Sequence, residues 1–429
     1  MTKNNNHALV IGASGLIGWS VVNQLLQCYP AEGTFSRVTA LVNRPLELEK
    51  SFWPKATEST PELELIAGID LLCADEQLEA TLKEKIASVG SITHVYYFGT
   101  SKPGHQVLLT SADKKKSIQR QLRPHPRSRP QRRHDAPPRP RHHPPIPRPK
   151  ILRLPRRHAR KLPFQATPPP SLSSPSNPTD LEQGYGIYRP NGIFSAPLLE
   201  EMAHNLPADY KETVAYPHYR AMLSLESANA NWSWCELVPD AIIGFTPNGS
   251  GFSLAGHWAT YLSTYRLVYG EGAEVRFPGV LKGYESFFTS VSASSLARVA
   301  VFASMHPEEF GERIFNVADS EKPASMRQIW PQITACFGLK GVPPSATASP
   351  EDEKPSQFVK RHAEVLRKAG VKEVGIWNKK QLDSYGYWLT FDRQLGLGRL
   401  RGTGWGEERE MIEGWREAFD MFRKAGMVV

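Results

Sequence analysis

The sequence predicts an α/β fold: a parallel sheet whose strands are joined by crossover helices. Two observations carry this. Residues 7–100 alternate short apolar, β-branched runs with helical segments, and the first run enters the first helix through a glycine-rich turn. Residues 8–11 are an apolar run stopping at a glycine, as a buried strand does. In residues 15–27, Leu16, Ile17, Val21, Val22, Leu25 and Leu26 share one broad face, which is helical spacing. Residues 37–42 read as a second strand and 62–66 as a third that alternates. Residues 78–86 read as a helix and 94–98 as a buried fourth strand. Further on, 232–238 leads into 239–245 as a strand and turn. Helices are expected over 252–268, 296–305, 325–337, 356–369 and 408–425. The second half is thus mostly helical and is expected to cap the sheet.

Composition narrows the function classes. Hydrophobic residues are 40% of 429, enough for a sizeable core, which excludes wholesale disorder. No apolar run reaches the ~18 residues of a membrane-spanning helix. The first residues are polar, with no apolar stretch before a cleavage site, so a cytoplasmic protein is expected. Cys28, Cys73, Cys235 and Cys336 lie far apart and form no CxxC pair, so neither a disulfide framework nor a metal site is expected. The net charge of +9 has one source: residues 114–161 hold 18 Lys and Arg against a single acid, Asp135. The rest of the chain is mildly acidic.

That basic stretch belongs to a longer anomaly. Residues 102–180 are rich in Pro, Arg, His and Ser, and 17 of the 36 prolines fall between Pro124 and Pro178. Proline at that density blocks both helix and sheet pairing. Phe164 is the only aromatic there, and no amphipathic helix is present, so neither nucleic acid nor a membrane is an expected partner. The segment falls where the fold needs a strand and two crossover helices. From about Ser117 to Asp180 it reads as translation out of frame or of intron-like DNA. Three regions follow: 1–104, the first part of a dinucleotide-binding domain; 105–182, a low-complexity segment expected to be disordered; and 183–429, the rest of that domain with a helical substrate-binding region.

The strongest motif is Gly12, Ala13, Ser14, Gly15, Leu16, Ile17, Gly18, directly after a strand and opening a helix. The first glycine permits the tight turn, the second lets backbone approach a pyrophosphate, and the third allows close packing of helix on strand. Amides at that helix start then face the phosphates. At the end of the second strand an acid would bind the ribose 2′-hydroxyl of NAD. Asn43 stands there instead, and Arg44 suits a 2′-phosphate, so NADP(H) is the expected cofactor. Asp70 and Leu71 follow the third strand within reach of an adenine amino group. Gly99 and Thr100 follow the fourth, where the nicotinamide ribose should pass. Trp258 and Tyr261, on the expected 252–268 helix, are the candidate substrate-pocket residues.

Several further stretches resemble the extended short-chain dehydrogenase/reductases of the progesterone 5β-reductase and iridoid synthase type, especially their fungal branch. They are the 12–18 loop, Thr93 to Tyr96, Tyr185 to Tyr188, Trp232 with Trp234, Pro239 to Phe245, Phe277 to Gly279, Phe315 to Val317, Trp330 to Leu339, and Phe391 to Gln394. The resemblance implies a Rossmann-type, doubly wound parallel sheet with a mostly helical C-terminal substrate-binding lid. It implies NADPH-dependent reduction of an enone or carbonyl in a hydrophobic small molecule, with secondary metabolism as the setting. A tyrosine would stabilise the developing enolate oxygen, and its position matches Tyr219. Tyr216 is the alternative, since Tyr216 and Arg220 mimic a Tyr-x-x-x-Lys spacing. The family lysine lies two residues before the position of Tyr185, where this chain has Gln183, a neutral donor. Pro239 and Ile242 would flank the nicotinamide. The chain has no Tyr-x-x-x-Lys, which disfavours an epimerase or dehydratase. A catalytically silent dinucleotide-binding protein is the rival of another class. The oligomeric state is left open.

Overall fold

A computed structural model of the protein describes residues 5–43, 45–71, 73–98, 194–207, 216–372 and 380–429. Residues 105–182, with the disorder and frame expected of them, lie outside these. Four strands form the first sheet: β1 (His7–Ile11), β2 (Arg37–Val42), β3 (Glu62–Ala67) and β4 (His94–Tyr97). They run parallel in the order β3-β2-β1-β4. Every residue of β1 is buried, as a central strand covered on both faces must be. Helix α1 (Leu16–Leu26) joins β1 to β2 and packs on the Ala293–Met305 helix, and α2 (Asp75–Lys85) joins β3 to β4.

The base of the sheet is polar but satisfied. His7 is 1% exposed. Its Nδ1 lies 2.8 Å from Ser91 Oγ and its Nε2 2.8 Å from Thr39 Oγ1. Burial first, then the Arg37 charge, lowers its pKa to about 4.

Among the described residues after 216, three more strand pairs run parallel, one of them Glu274–Arg276 with Lys340–Val342. β5 (Cys235–Pro239) pairs with Arg313–Val317, and β6 (Ala241–Ile243) pairs with Ser290–Ser292. The turn between β5 and β6 is pinned from far along the chain. Arg393 Nε lies 3.0 Å from Asp240 Oδ2, with both side chains almost wholly buried, and Arg393 Nη2 donates to Tyr385 Oη at 2.9 Å.

The helical second half does more than cap the sheet. One apolar core runs from Ala8 and Val10 of β1 through Phe245 and Trp258 to Trp330, Trp415 and Phe422. The Met411–Lys424 helix enters it with Ile412, Trp415, Phe419 and Phe422, spaced three or four residues apart.

Three expectations need correcting. First, Trp258 and Tyr261 are core residues. The Leu254–Tyr269 helix is buried at every residue from Leu254 to Thr264: its side chains there are mostly aromatic, aliphatic or small, and His257 lies with its Nε2 3.1 Å from Asp383 Oδ1. Trp258, 1% exposed, stacks on Trp415 at 5.3 Å and meets Trp330 edge-on at 5.2 Å. Tyr261 packs edge-on against Phe358. Second, the single helix over 356–369 is two, Pro355–Arg361 and Ala363–Lys368, broken at His362, whose backbone (φ −108°, ψ 18°) is not helical. Third, β4 is not buried to its end. Tyr96 faces inward with its hydroxyl 2.7 Å from Ser304 Oγ, while Tyr97 is 48% exposed. Strand alternation sends the two rings to opposite faces.

Candidate active site

The 12–18 turn sits at the carboxyl end of β1, the place where parallel α/β sheets bind their ligands. Gly12 takes a φ of 82°, a left-handed conformation that the tight turn demands. The Gly12 and Ala13 amides both donate to Leu41 O, at 3.1 and 2.9 Å, which ties the turn to β2. Gly15 N then donates to Gly12 O at 2.8 Å. A Cβ on Gly18 would lie 2.2 Å from Gly12 O, so only glycine lets α1 approach β1 this closely.

The start of α1 is suited to an anion. Gly15, its N-cap, supplies no capping side chain, and the first turn holds no acidic residue. The first amides of a helix have no intrahelical acceptor, and the helix dipole adds positive potential there. These features fit a pyrophosphate held by backbone amides of Ser14, Leu16 and Ile17. The second half of the chain buttresses the turn. Thr246 Oγ1 donates to Ser14 O at 3.1 Å. A Cβ on Gly244 would lie 2.4 Å from Ala293 Cβ and 3.2 Å from Leu16 Cδ1. The sequence did not single out Thr246, and it marked Gly244 only within the 239–245 stretch, because their partners are distant: Ser14 for Thr246, Ala293 and Leu16 for Gly244.

The other expected cofactor residues are more scattered. Asn43 is exposed just beyond β2. Asp70 is exposed beyond β3, and Leu71 packs at the edge of the cluster formed by Ile66, Ile69 and Leu78. Pro239 closes β5 opposite Val317, and Ile242 lies in β6 opposite Val291. Arg44, Gly99, Thr100 and Gln183 lie outside the described residues.

The expected catalytic tyrosines open the Tyr216–Ser227 helix. Tyr219 is 38% exposed. Its phenol is near enough to Tyr97, the last residue of β4, to oppose ionisation there: partial burial first, then Tyr219, pushes the Tyr97 hydroxyl above the usual range. Tyr97 sits in register with Ile11, the residue before Gly12. Tyr219 thus stands on the carboxyl-end side of the sheet, as does the glycine turn. Tyr97 is a further residue that sequence reading passed over; its place in an aromatic strand end was the available signal.

Tyr216 has a different setting. Burial first, then the Glu236 charge, raises its phenol above the ordinary range, and the Arg220 charge opposes this. Arg220 is committed elsewhere. Its Nε donates to Glu236 Oε2 at 2.6 Å and its Nη2 to Glu236 Oε1 at 2.9 Å. A guanidinium held this way is a poor stand-in for a lysine aimed at substrate.

The match to the PRISE-like Rossmann-fold domain covers residues 8–116 and 184–429. The chain belongs to this family. The match stops at 116 and resumes at 184, leaving out most of the Pro- and Arg-rich stretch. Curated relatives align almost end to end. Short chain dehydrogenase ausT of Aspergillus calidoustus is 27% identical, over 99% of this chain and 95% of that protein. Short chain dehydrogenase sirR of Leptosphaeria maculans is 27% identical, over 100% of this chain and 98% of that one. At the level of its family the chain is an oxidoreductase. A GDP-6-OMe-4-keto-L-xylo-heptose reductase from C. jejuni shares the fold, with a TM-score of 0.51 at 12% identity over 99% of both chains. An epimerase from Methanothermobacter thermautotrophicus does so with a TM-score of 0.50 at 11% identity, over 98% of this chain and 93% of that one. Among the described residues no helix is long and apolar enough to cross a membrane.

Proposed function

We propose that the chain is an NADP(H)-dependent reductase of an enone or carbonyl group in a hydrophobic small molecule. The observation that carries the cofactor part is the start of α1: a glycine turn closed by Gly18, no capping side chain and no acid in the first turn. Amides of the turn would hold the pyrophosphate. Asn43, in place of an acid, removes the repulsion that would exclude a 2′-phosphate, and Arg44 would pair with it. When bound, the dihydronicotinamide supplies a hydride. The chain's own task is then to steady the negative charge that grows on the substrate oxygen. Tyr219 would donate a hydrogen bond to that oxygen and pass its proton on, as a general acid does. Gln183, at the family's lysine position, would add a neutral donor without lowering the phenol's pKa. Net, one enone, one NADPH and one proton become the saturated carbonyl and NADP⁺.

A second reading rests on Gln183 and on the break in the family match between residues 116 and 184. In it the chain binds the nucleotide without turning it over, since the strip from about Ser117 to Asp180 replaces family sequence. The experiment is a titration with NADPH and NADH followed by NADPH oxidation across a panel of cyclic and acyclic enones. Tight NADPH binding with turnover supports the reductase. Binding without turnover supports the silent reading, and no binding of either nucleotide overturns both.

A further inference from the structure

We infer that Thr246 is a positioning residue for the dinucleotide, acting through the carbonyl of Ser14. The inference rests on the cofactor reading above and adds to it a residue from the other half of the chain. Thr246 is wholly buried, and its Oγ1 donates to Ser14 O at 3.1 Å. The amide on the far side of the same peptide, Gly15 N, donates to Gly12 O at 2.8 Å. The Ser14–Gly15 peptide is therefore gripped at both ends. It is the peptide that enters Gly15, the N-cap of α1, so holding it fixes where the helix begins and hence where the amides of Leu16 and Ile17 emerge. A site that binds an anion through backbone amides works only if those amides are already aimed.

The grip is itself anchored. Ser253 Oγ donates to Gly244 O at 3.3 Å and itself accepts from Gly256 N at 3.1 Å, capping the Leu254–Tyr269 helix. Gly244 presses on Ala293 and Leu16, where any side chain would collide. Residues 244–246 thus form a rigid shelf between a capped helix and the glycine turn. The Thr246 hydroxyl supplies a side-chain hydrogen bond from that shelf to the turn. Replacing it with a methyl leaves the volume unchanged and leaves Ser14 O without this donor.

The test uses the full chain. Thr246→Val and Thr246→Ser are compared with the unmutated protein in NADPH titrations followed by nucleotide fluorescence, with thermal unfolding measured in the absence of nucleotide. Thr246→Val should bind NADPH about tenfold more weakly, the order expected for one buried hydrogen bond. Thr246→Ser, which keeps the hydroxyl, should stay within about threefold of the unmutated protein. Both nucleotide-free midpoints should lie close to the unmutated value. Equal affinity in Thr246→Val, or an equal loss in both variants, overturns the inference. A measurement on the unmutated chain guards against a variant that folds badly. Adding NADPH should slow amide hydrogen exchange in peptides spanning 244–250 together with those spanning 12–18. Slowing confined to 12–18 overturns the inference while leaving the cofactor reading intact. No binding of NADPH or NADH by the unmutated chain sinks both.

Discussion

The glycine turn of residues 12–18 and the head of the Tyr216–Ser227 helix stand on the same side of the sheet, but they are built differently. The turn is made of backbone. Its working parts are amides, a positive φ at Gly12 and the missing Cβ of Gly18, all within seven residues. The tyrosine region is made of side chains from distant places: Tyr97 from β4, Tyr219 and Arg220 from the helix, and Glu236 from β5. A backbone site tolerates change around it and fails when its few glycines change. A side-chain site fails piece by piece, and on the proposed reading one piece, the family lysine, is replaced here by Gln183.

The largest effect should come from breaking the backbone site. Gly18→Ala places a Cβ 2.2 Å from Gly12 O, an overlap that only a backbone shift relieves. NADPH affinity should fall more than about a hundredfold, read by fluorescence titration beside a circular dichroism check of folding. A variant that binds normally would mean the turn does not hold the phosphates.

The side-chain site should break more selectively. Tyr219→Phe should lower turnover about a hundredfold and leave NADPH affinity nearly unchanged, with Tyr216→Phe doing less. The reverse order would move the role to Tyr216, despite the commitment of Arg220 to Glu236.

His7 probes the opposite, amino end of β1. Its pKa is lowered to about 4 in the fold and returns to 6.5 when the chain unfolds. The unfolded state then binds more protons between those values. The stability His7 contributes is present above about 6.5 and is lost as pH falls toward 4. Between pH 7.5 and 5 this loss should be about 2 kcal/mol. It should appear in urea unfolding of the unmutated protein as an excess over His7→Asn. Equal pH dependence in both would show that His7 is not held neutral.

The smallest effect sharpens the cofactor choice. Arg44→Ala should remove a preference of about tenfold for NADPH over NADH, the contribution of an arginine–phosphate pair. If the unmutated chain binds both nucleotides equally, the 2′-phosphate reading fails.

Much of the fold was legible because its signals are local. Strands β1 to β3 and helix α1 lie within a residue or two of their sequence positions, since apolar runs and helical spacing are read within one segment. The two phases of β4 were harder. A run of aromatics reads as buried throughout, and only the neighbours decide that Tyr96 goes in and Tyr97 stays half exposed. The 12–18 motif was legible because the backbone geometry it needs excludes other residue types. The motif 391–394 was legible as a family mark, but its job was not: Arg393 finds Asp240 across more than 150 positions. Removing one partner of such a buried pair costs about 3–5 kcal/mol, so the position matters greatly while giving no local sign of it.

Trp258 shows the limit most clearly. A tryptophan on an aromatic-rich helix serves a pocket or a core equally well as sequence. The choice falls to Trp330, Trp415 and Tyr385, which arrive from three separate segments and surround it. The sequence by itself determined the parallel α/β class and the glycine turn, because each is a property of a short stretch. The tertiary structure alone decided that Arg220 is tied to Glu236, that Trp258 is core and that Thr246 braces Ser14. Those contacts are made by buried groups far apart in the chain, and burial depends on where the rest of the molecule packs.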